Sequence, residues 1–140
     1  MRFSPEKKGT IMTAKKIASA LGAVFIVVGL IGFAVPTVMG MHLSVAHNIV
    51  HLVSGALALY FGLKGNLAGA RTFCILFGAV YGLLGLVGFV AGTGSDRMFT
   101  VIPDRLMLGT MDHAIHLVLG AVFLIAGLYK KPMIAAAPRL

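Results

Sequence analysis

Long runs of apolar residues, interrupted by short breaks rich in glycine, proline and charge, occupy most of this chain. A helix that crosses the hydrocarbon core of a bilayer needs about 20 predominantly apolar residues. The runs have that length, and they predict membrane-spanning helices at Ile17–Val35, Ser44–Leu63, Thr72–Ala91 and Leu108–Tyr129. The predicted fold class is all-α, an integral membrane four-helix bundle.

The two halves of the chain carry matching residues. Gly22-Ala23-Val24 recurs 56 positions later as Gly78-Ala79-Val80, and His51-Leu52-Val53 recurs 65 positions later as His116-Leu117-Val118. Such matches predict two tandem helical hairpins related by a pseudo-two-fold axis. This internal repeat would place the two histidines opposite each other at one depth. The third connection, around Arg97–Met107, is longer than the first and is expected to cover the outer mouth of the bundle on one side.

Composition supports a lipid environment. The chain is 59% hydrophobic and only 11% charged, whereas soluble domains are about half apolar and about a quarter charged. Asp112 is the only charged residue inside a predicted span. We therefore expect the bilayer to be the solvent of residues 17–131.

The distribution of lysine and arginine predicts the orientation. Ten of the twelve lie in the N-terminal segment, the second connection and the tail, while only Arg97 and Arg105 lie in the first and third connections. The positive-inside rule then places both termini in the cytoplasm. Residues 1–16 are predicted to be a basic cytoplasmic segment, 17–131 the transmembrane domain and 132–140 a cytoplasmic tail.

The net charge of +8 follows from this topology and from the anionic lipid of the inner leaflet. The basic residues flank helices and form no patch with interleaved aromatic residues, so nucleic acid is not an expected partner. The expected partners are the lipid bilayer and a membrane-protein partner or a second copy of the chain.

Polar side chains share one face of the second and fourth predicted helices. They should face inward, because ionisable groups inside a membrane avoid lipid. The offset of 65 positions matches the residues of the two stripes, so the sequence predicts one cluster of His47, Asn48, His51, Asp112, His113 and His116. An unpaired carboxylate in hydrocarbon costs several kcal/mol, so Asp112 is predicted to lie within hydrogen-bond reach of His47, His51 or Asn48, directly or through one water.

Three interpretations of this cluster remain open. The groups can hydrogen-bond one another across helices without binding anything, each bond contributing about 1 kcal/mol or less. They can hold a transition metal, with His47, His51, Asp112, His113 and His116 as ligands. They can also place His51 and His116 as the axial ligands of a haem b, with Gly55 and Gly120 leaving space for the macrocycle.

Two further hypotheses receive less support from the residues. Methionines near the outer side, Met41 and Met111 among them, would suit copper(I), although methionine is more often an apolar filler. Proton or ion transfer would use titrating histidines, but the inner halves of the spans contain few polar groups. The sequence shows no nucleophile with an adjacent base, no phosphate-binding loop and no paired carboxylates, so a hydrolytic enzyme is not expected.

The segments His47–Gly55, Phe77–Gly82 and Asp112–Gly120 resemble a family of small bacterial four-helix membrane proteins, the domain of unknown function 4383 family. The resemblance extends over Lys16 to Lys130, and it implies the fold and the membrane location without implying an activity. The predicted function is that of a small, non-enzymatic membrane subunit acting through partner contacts. The alternatives are a haem- or metal-binding redox protein and a proton or ion transfer protein.

Overall fold

Four long helices form the protein, as the apolar runs predict. The structure, a computed structural model, describes residues 13–130, so most of the predicted segment 1–16 and all of the predicted tail 132–140 lie outside the described residues. The helices are α1 Ala14–Ala34, α2 Val45–Leu59 with a π-helical turn Tyr60–Lys64, α3 Leu67–Ala91 and α4 Thr110–Leu128. Each is long and apolar enough to cross a membrane. The predicted all-α four-helix fold is confirmed.

Two helices begin about one turn earlier than the apolar runs suggest, because polar side chains cap them. The Thr13 side chain accepts from the Lys16 N–H at 3.4 Å, and α1 begins at Ala14. Asn66 Oδ1 accepts from the Gly69 N–H at 2.7 Å, and α3 begins at Leu67. The helices therefore extend past the apolar segments into the polar boundary.

Two β-hairpins, which the sequence analysis treated as loops, lie at the opposite end of the bundle. Strand β1 (Thr37–Val38) pairs with β2 (Met41–His42), and β3 (Phe99–Ile102) pairs with β4 (Leu106–Leu108), both antiparallel. Met39 and Gly40 adopt φ of +51° and +82°, the left-handed pair that a two-residue hairpin turn requires. We call this end, with its two connections, the β-hairpin end.

The other end of the bundle carries five of the seven Lys and Arg residues of the described chain. We call it the basic end, and it contains Lys15, Lys16, Lys64, Arg71 and Lys130. Acidic residues within 13–130 are all at the β-hairpin end, where Asp96 and Asp104 accompany Arg97 and Arg105. The two ends therefore differ strongly in charge.

Consecutive helices approach through glycine. Helix α1 packs along α2, and α3 packs along α4. A Cβ atom added at Gly22 would lie 2.9 Å from the Leu59 backbone nitrogen and 3.0 Å from the Gly55 carbonyl oxygen. One added at Gly78 would lie 2.8 Å from the Leu124 nitrogen and 3.0 Å from the Gly120 oxygen. Only residues without a side chain permit backbones to come this close.

An aromatic cluster fills the centre between the two helical pairs. Phe25, Phe73, Tyr81 and Phe123 are buried, and the rings of Phe25 and Tyr81 stack with centroids 5.5 Å apart. Phe73 meets Phe123 edge to face at 6.0 Å. This cluster separates the β-hairpin half of the bundle from the basic half.

The glycine contacts predict a sharp difference between two neighbouring positions on α3. Gly78→Ala would push a Cβ atom against the Leu124 backbone, which cannot move aside without separating α3 from α4. We expect a loss of about 1–3 kcal/mol in stability, measured as a lower unfolding temperature in detergent. Gly82→Ala is the matched control, since an added Cβ meets nothing within 4 Å there, and equal effects of the two variants would contradict this account.

Candidate functional site

A cavity of about 190 Å³ lies in the β-hairpin half of the bundle. Helix α2 supplies His47, Val50, His51 and Ser54 to its wall; the other helices and β3–β4 supply Phe77, Val80, Tyr81, Leu84, Val101, Leu106, Leu108 and His116. The wall is thus mostly apolar, with three imidazole rings, one phenol and one hydroxyl.

Three of the predicted site residues meet at this cavity. His47 and His51 lie one turn apart on α2, with ring centroids separated by 4.4 Å. His116 reaches the same space from α4, with its ring 6.1 Å from that of His47. The i, i+4 spacing on α2 and the matched position on α4 therefore bring these rings together across the bundle.

The three imidazoles differ in their hydrogen bonds. His47 Nδ1 lies 2.8 Å from the His42 carbonyl oxygen, and donation to that oxygen leaves Nε2 of a neutral ring as an acceptor. The Nδ1 atoms of His51 and His116 are buried and have no hydrogen-bond partner within residues 13–130. Buried polar atoms in proteins are nearly always bonded, so these two nitrogens are exceptions that call for an explanation.

Aromatic rings hold the two unpartnered histidines in place. Phe25 of α1 stacks on His51 with centroids 5.8 Å apart and an interplanar angle of 11°. Tyr81 of α3 lies 5.2 Å from His116. Phe25 and Tyr81 are themselves separated by the offset of 56 positions, so the sequence repeat contains a signal for these supporting rings.

The cavity opens sideways, between α2 and α3. Val50 and Val80 line it from these two helices, yet they are 41% and 54% exposed. The two helices pack only loosely on each other. Leu106 and Leu108 of β4 are buried and line the cavity from the β-hairpin end. Part of the Arg97–Met107 connection therefore covers the cavity at the β-hairpin end. The opening of the cavity between α2 and α3 lies on the outer, lipid-exposed flank of the bundle.

Asp112 has different partners from those predicted. Its Oδ2 accepts from the Gly109 N–H at 2.9 Å and from the His42 N–H at 3.3 Å, and His42 Nδ1 lies 3.7 Å away. The prediction of a direct bond to His47, His51 or Asn48 is wrong. The third position of a helix favours bonds to the free N–H groups at the helix start, and β2 brings His42 to the same carboxylate.

Asn48 and His113 are buried outside the cavity. The Asn48 amide donates to the Leu43 carbonyl at 3.3 Å, and His113 Nε2 lies 2.8 Å from the Arg97 carbonyl oxygen. Asn48 packs over Gly32 of α1, and His113 packs over Gly88 of α3. Each side chain therefore joins one connection of the β-hairpin end to one of the two helical pairs.

The geometry does not supply the space that a haem needs. Gly55 and Gly120 face the neighbouring helices. A Cβ atom added at Gly55 would lie 2.9 Å from the Gly22 carbonyl oxygen, and one added at Gly120 would lie 2.6 Å from the Gly82 backbone nitrogen. The predicted gap for a macrocycle is therefore filled by backbone. Within residues 13–130, no group of three or more His, Cys, Asp or Glu side chains is arranged to hold a metal ion.

Removal of the Asp112 carboxylate should loosen the β-hairpin end. Asp112→Ala leaves the Gly109 and His42 N–H groups without their acceptor, and we expect a loss of about 1–2 kcal/mol in stability. Thermal unfolding in detergent measures it. Asp112→Asn keeps one acceptor oxygen and should therefore lose less stability than Asp112→Ala. The control is Asp104→Asn, an exposed turn residue with φ of +56° that asparagine tolerates; an unchanged unfolding temperature in Asp112→Ala would refute the assignment.

Comparison with known proteins agrees with the motifs quoted above. A family model described as Domain of unknown function (DUF4383) matches residues 15–129, a range that includes all four helices, except Ala14, and the whole cavity lining. No curated protein and no solved structure gives a significant match. The chain is a member of the DUF4383 family.

Proposed function

We propose that this protein is a small, non-enzymatic membrane subunit whose histidine cavity binds a small lipid-soluble molecule. The observation that carries the proposal is the cavity itself, whose otherwise apolar wall brings the imidazole of His47 together with those of His51 and His116. A bound molecule with hydrogen-bonding oxygen atoms would bond to the ring nitrogens of His51 and His116 that face it. Their rings already have fixed positions against Phe25 and Tyr81, so binding would require little ordering of the site.

The character of the cavity supports an apolar ligand that arrives from the bilayer. Its wall is largely valine, leucine and phenylalanine, and its mouth lies between α2 and α3 at the lipid-exposed flank. A volume of about 190 Å³ is smaller than the roughly 300–1,000 Å³ of pockets for drug-sized ligands. A single substituted ring therefore fits better than an extended cofactor such as haem b.

Binding is better supported than catalysis or transfer. The cavity contains no carboxylate, since Asp112 is directed to Gly109 and His42. Toward the basic end the next layer contains Phe25, Phe73 and Phe123 of the aromatic cluster, whose side chains cannot relay a proton or an ion. Action through a partner membrane protein or a second copy of the chain stays a prediction from the sequence.

We further propose that the two helical hairpins are tandem copies. Supporting this, the Gly22 contacts with Gly55 and Leu59 recur as those of Gly78 with Gly120 and Leu124. The positions shift by 56 on the first helix of each pair and by 65 on the second, as the sequence matches do.

The proposed location is a bacterial inner membrane, with the basic end at the cytoplasmic face. The charge difference between the two ends supports this orientation. We expect a reporter fused after Leu140 to behave as cytoplasmic and one inserted at Gly94, an exposed turn glycine, to behave as external. Opposite labelling would overturn the orientation.

The ligand proposal is tested on protein purified in mild detergent. Organic extraction and mass spectrometry should find a small lipid-soluble compound that co-purifies with the wild-type chain. Loss of one hydrogen bond in an apolar site should reduce its retention about tenfold in His51→Leu and in His116→Leu. The matched control is His42→Gln, which lies outside the cavity lining and keeps the backbone N–H that bonds to Asp112.

The outcomes of this experiment separate the hypotheses. The ligand site would be rejected if the wild type and the three variants retained the compound equally, or if no compound co-purified. An absorbance spectrum and a metal analysis of the same samples test the redox alternative. A Soret band that disappears in His51→Leu would establish haem instead, despite the limited space.

A further inference from the structure

A second cleft lies at the basic end, where α1, α3 and α4 converge. It has a volume of about 330 Å³ and is lined by Arg71 from α3, Tyr129 and Lys130 after α4, and Thr13 before α1. The aromatic cluster in the bundle centre separates it from the histidine cavity. None of its lining residues belongs to that cavity.

The guanidinium of Arg71 is held in a fixed position. Its Nε donates to the Gly127 carbonyl oxygen at 2.9 Å, and the side chain is half-buried. No described residue accepts a hydrogen bond from its two NH₂ groups. One side of the planar group is therefore used for anchoring, and its remaining donors are available to a ligand.

Among residues 13–130, the charge around the cleft is entirely positive. Lys130 lines it together with Arg71, and Lys15, Lys16 and Lys64 lie at the same end of the bundle. Within residues 13–130, the acidic side chains are all at the β-hairpin end, and no ion pair to Arg71 is formed. A half-buried arginine with this surrounding attracts an anion from outside the described chain.

We propose that this cleft binds a phosphate group, with a phospholipid headgroup or free phosphate as its source. The arginine fork matches phosphate oxygens, and the lysine adds a point charge. The Thr13 and Tyr129 hydroxyls can donate to the remaining oxygens. Leu67, 51% exposed at the rim, provides an apolar surface for an acyl chain. The site would lie at the level of the lipid headgroups, where basic residues of membrane proteins meet anionic lipid.

The test uses the full-length chain and native mass spectrometry. Protein in detergent is titrated with phosphatidylglycerol, with zwitterionic phosphatidylcholine, and separately with inorganic phosphate. We expect the wild-type chain to bind phosphatidylglycerol more tightly than phosphatidylcholine. Lys130→Gln removes one charge near the surface without changing the Gly127 contact, and it should lower the affinity for phosphatidylglycerol about fivefold. Arg71→Gln should lower this affinity more than Lys130→Gln does. Lys64→Gln is the matched control, because it removes a charge from the same end outside the cleft.

Each outcome decides the proposal. Selective phosphatidylglycerol binding supports a lipid source, and binding of inorganic phosphate alone, with the same variant pattern, supports a soluble source. If Lys64→Gln and Lys130→Gln lowered the affinity equally, binding would depend on the overall surface charge and not on the cleft, and the proposed site would be wrong. Equal retention of both lipids, together with no phosphate binding, would also overturn it. Circular dichroism of Lys130→Gln excludes a folding defect as the cause.

Discussion

Close contact between helix backbones at glycine determines how this bundle is organised. Lipid provides no hydrophobic drive for helices to associate, so stability comes from packing and from interhelical polar contacts. Gly22, Gly55, Gly78 and Gly120 bring backbone atoms of one helix against those of its neighbour. Two tight pairs result, α1 with α2 and α3 with α4, whereas α2 and α3 are left loosely packed. The histidine cavity and its lateral mouth occupy the space between these two helices.

The buried polar groups follow from the same arrangement. Backbone groups near membrane depth must be bonded within the protein, and the connections of the β-hairpin end expose several. Asn48, Asp112 and His113 bond to backbone groups of these connections, which fixes the β-hairpins over the bundle. The side chains that stabilise this end are therefore unavailable to a ligand. His47, His51 and His116 are the members of the buried polar cluster that line the cavity.

The sequence predicted the four spans and three members of the cavity, because a helical period and an apolar run are local signals. His47, His51 and His116 are brought together by helical spacing and the offset of the two halves. The partner of Asp112 was not predictable in this way, because it depends on how β2 returns over the bundle and brings His42 to α4. The roles of Gly55 and Gly120 were also missed, since a glycine that leaves space for a cofactor and one that admits a neighbouring backbone look alike in sequence.

The cavity exists where the two hairpins differ. At matched positions, His47 on α2 faces the cavity while Asp112 on α4 caps its own helix. Ser54 on α2 supplies a hydroxyl, whereas its counterpart Leu119 lies outside the lining. The connection between α3 and α4 is also longer than that between α1 and α2, and its β4 places Leu106 and Leu108 against the cavity. In a perfectly symmetrical pair, the two halves would line any cavity equally. On the proposed duplication, substitution in one copy and lengthening of one connection produced a cavity to which the two halves contribute unequally.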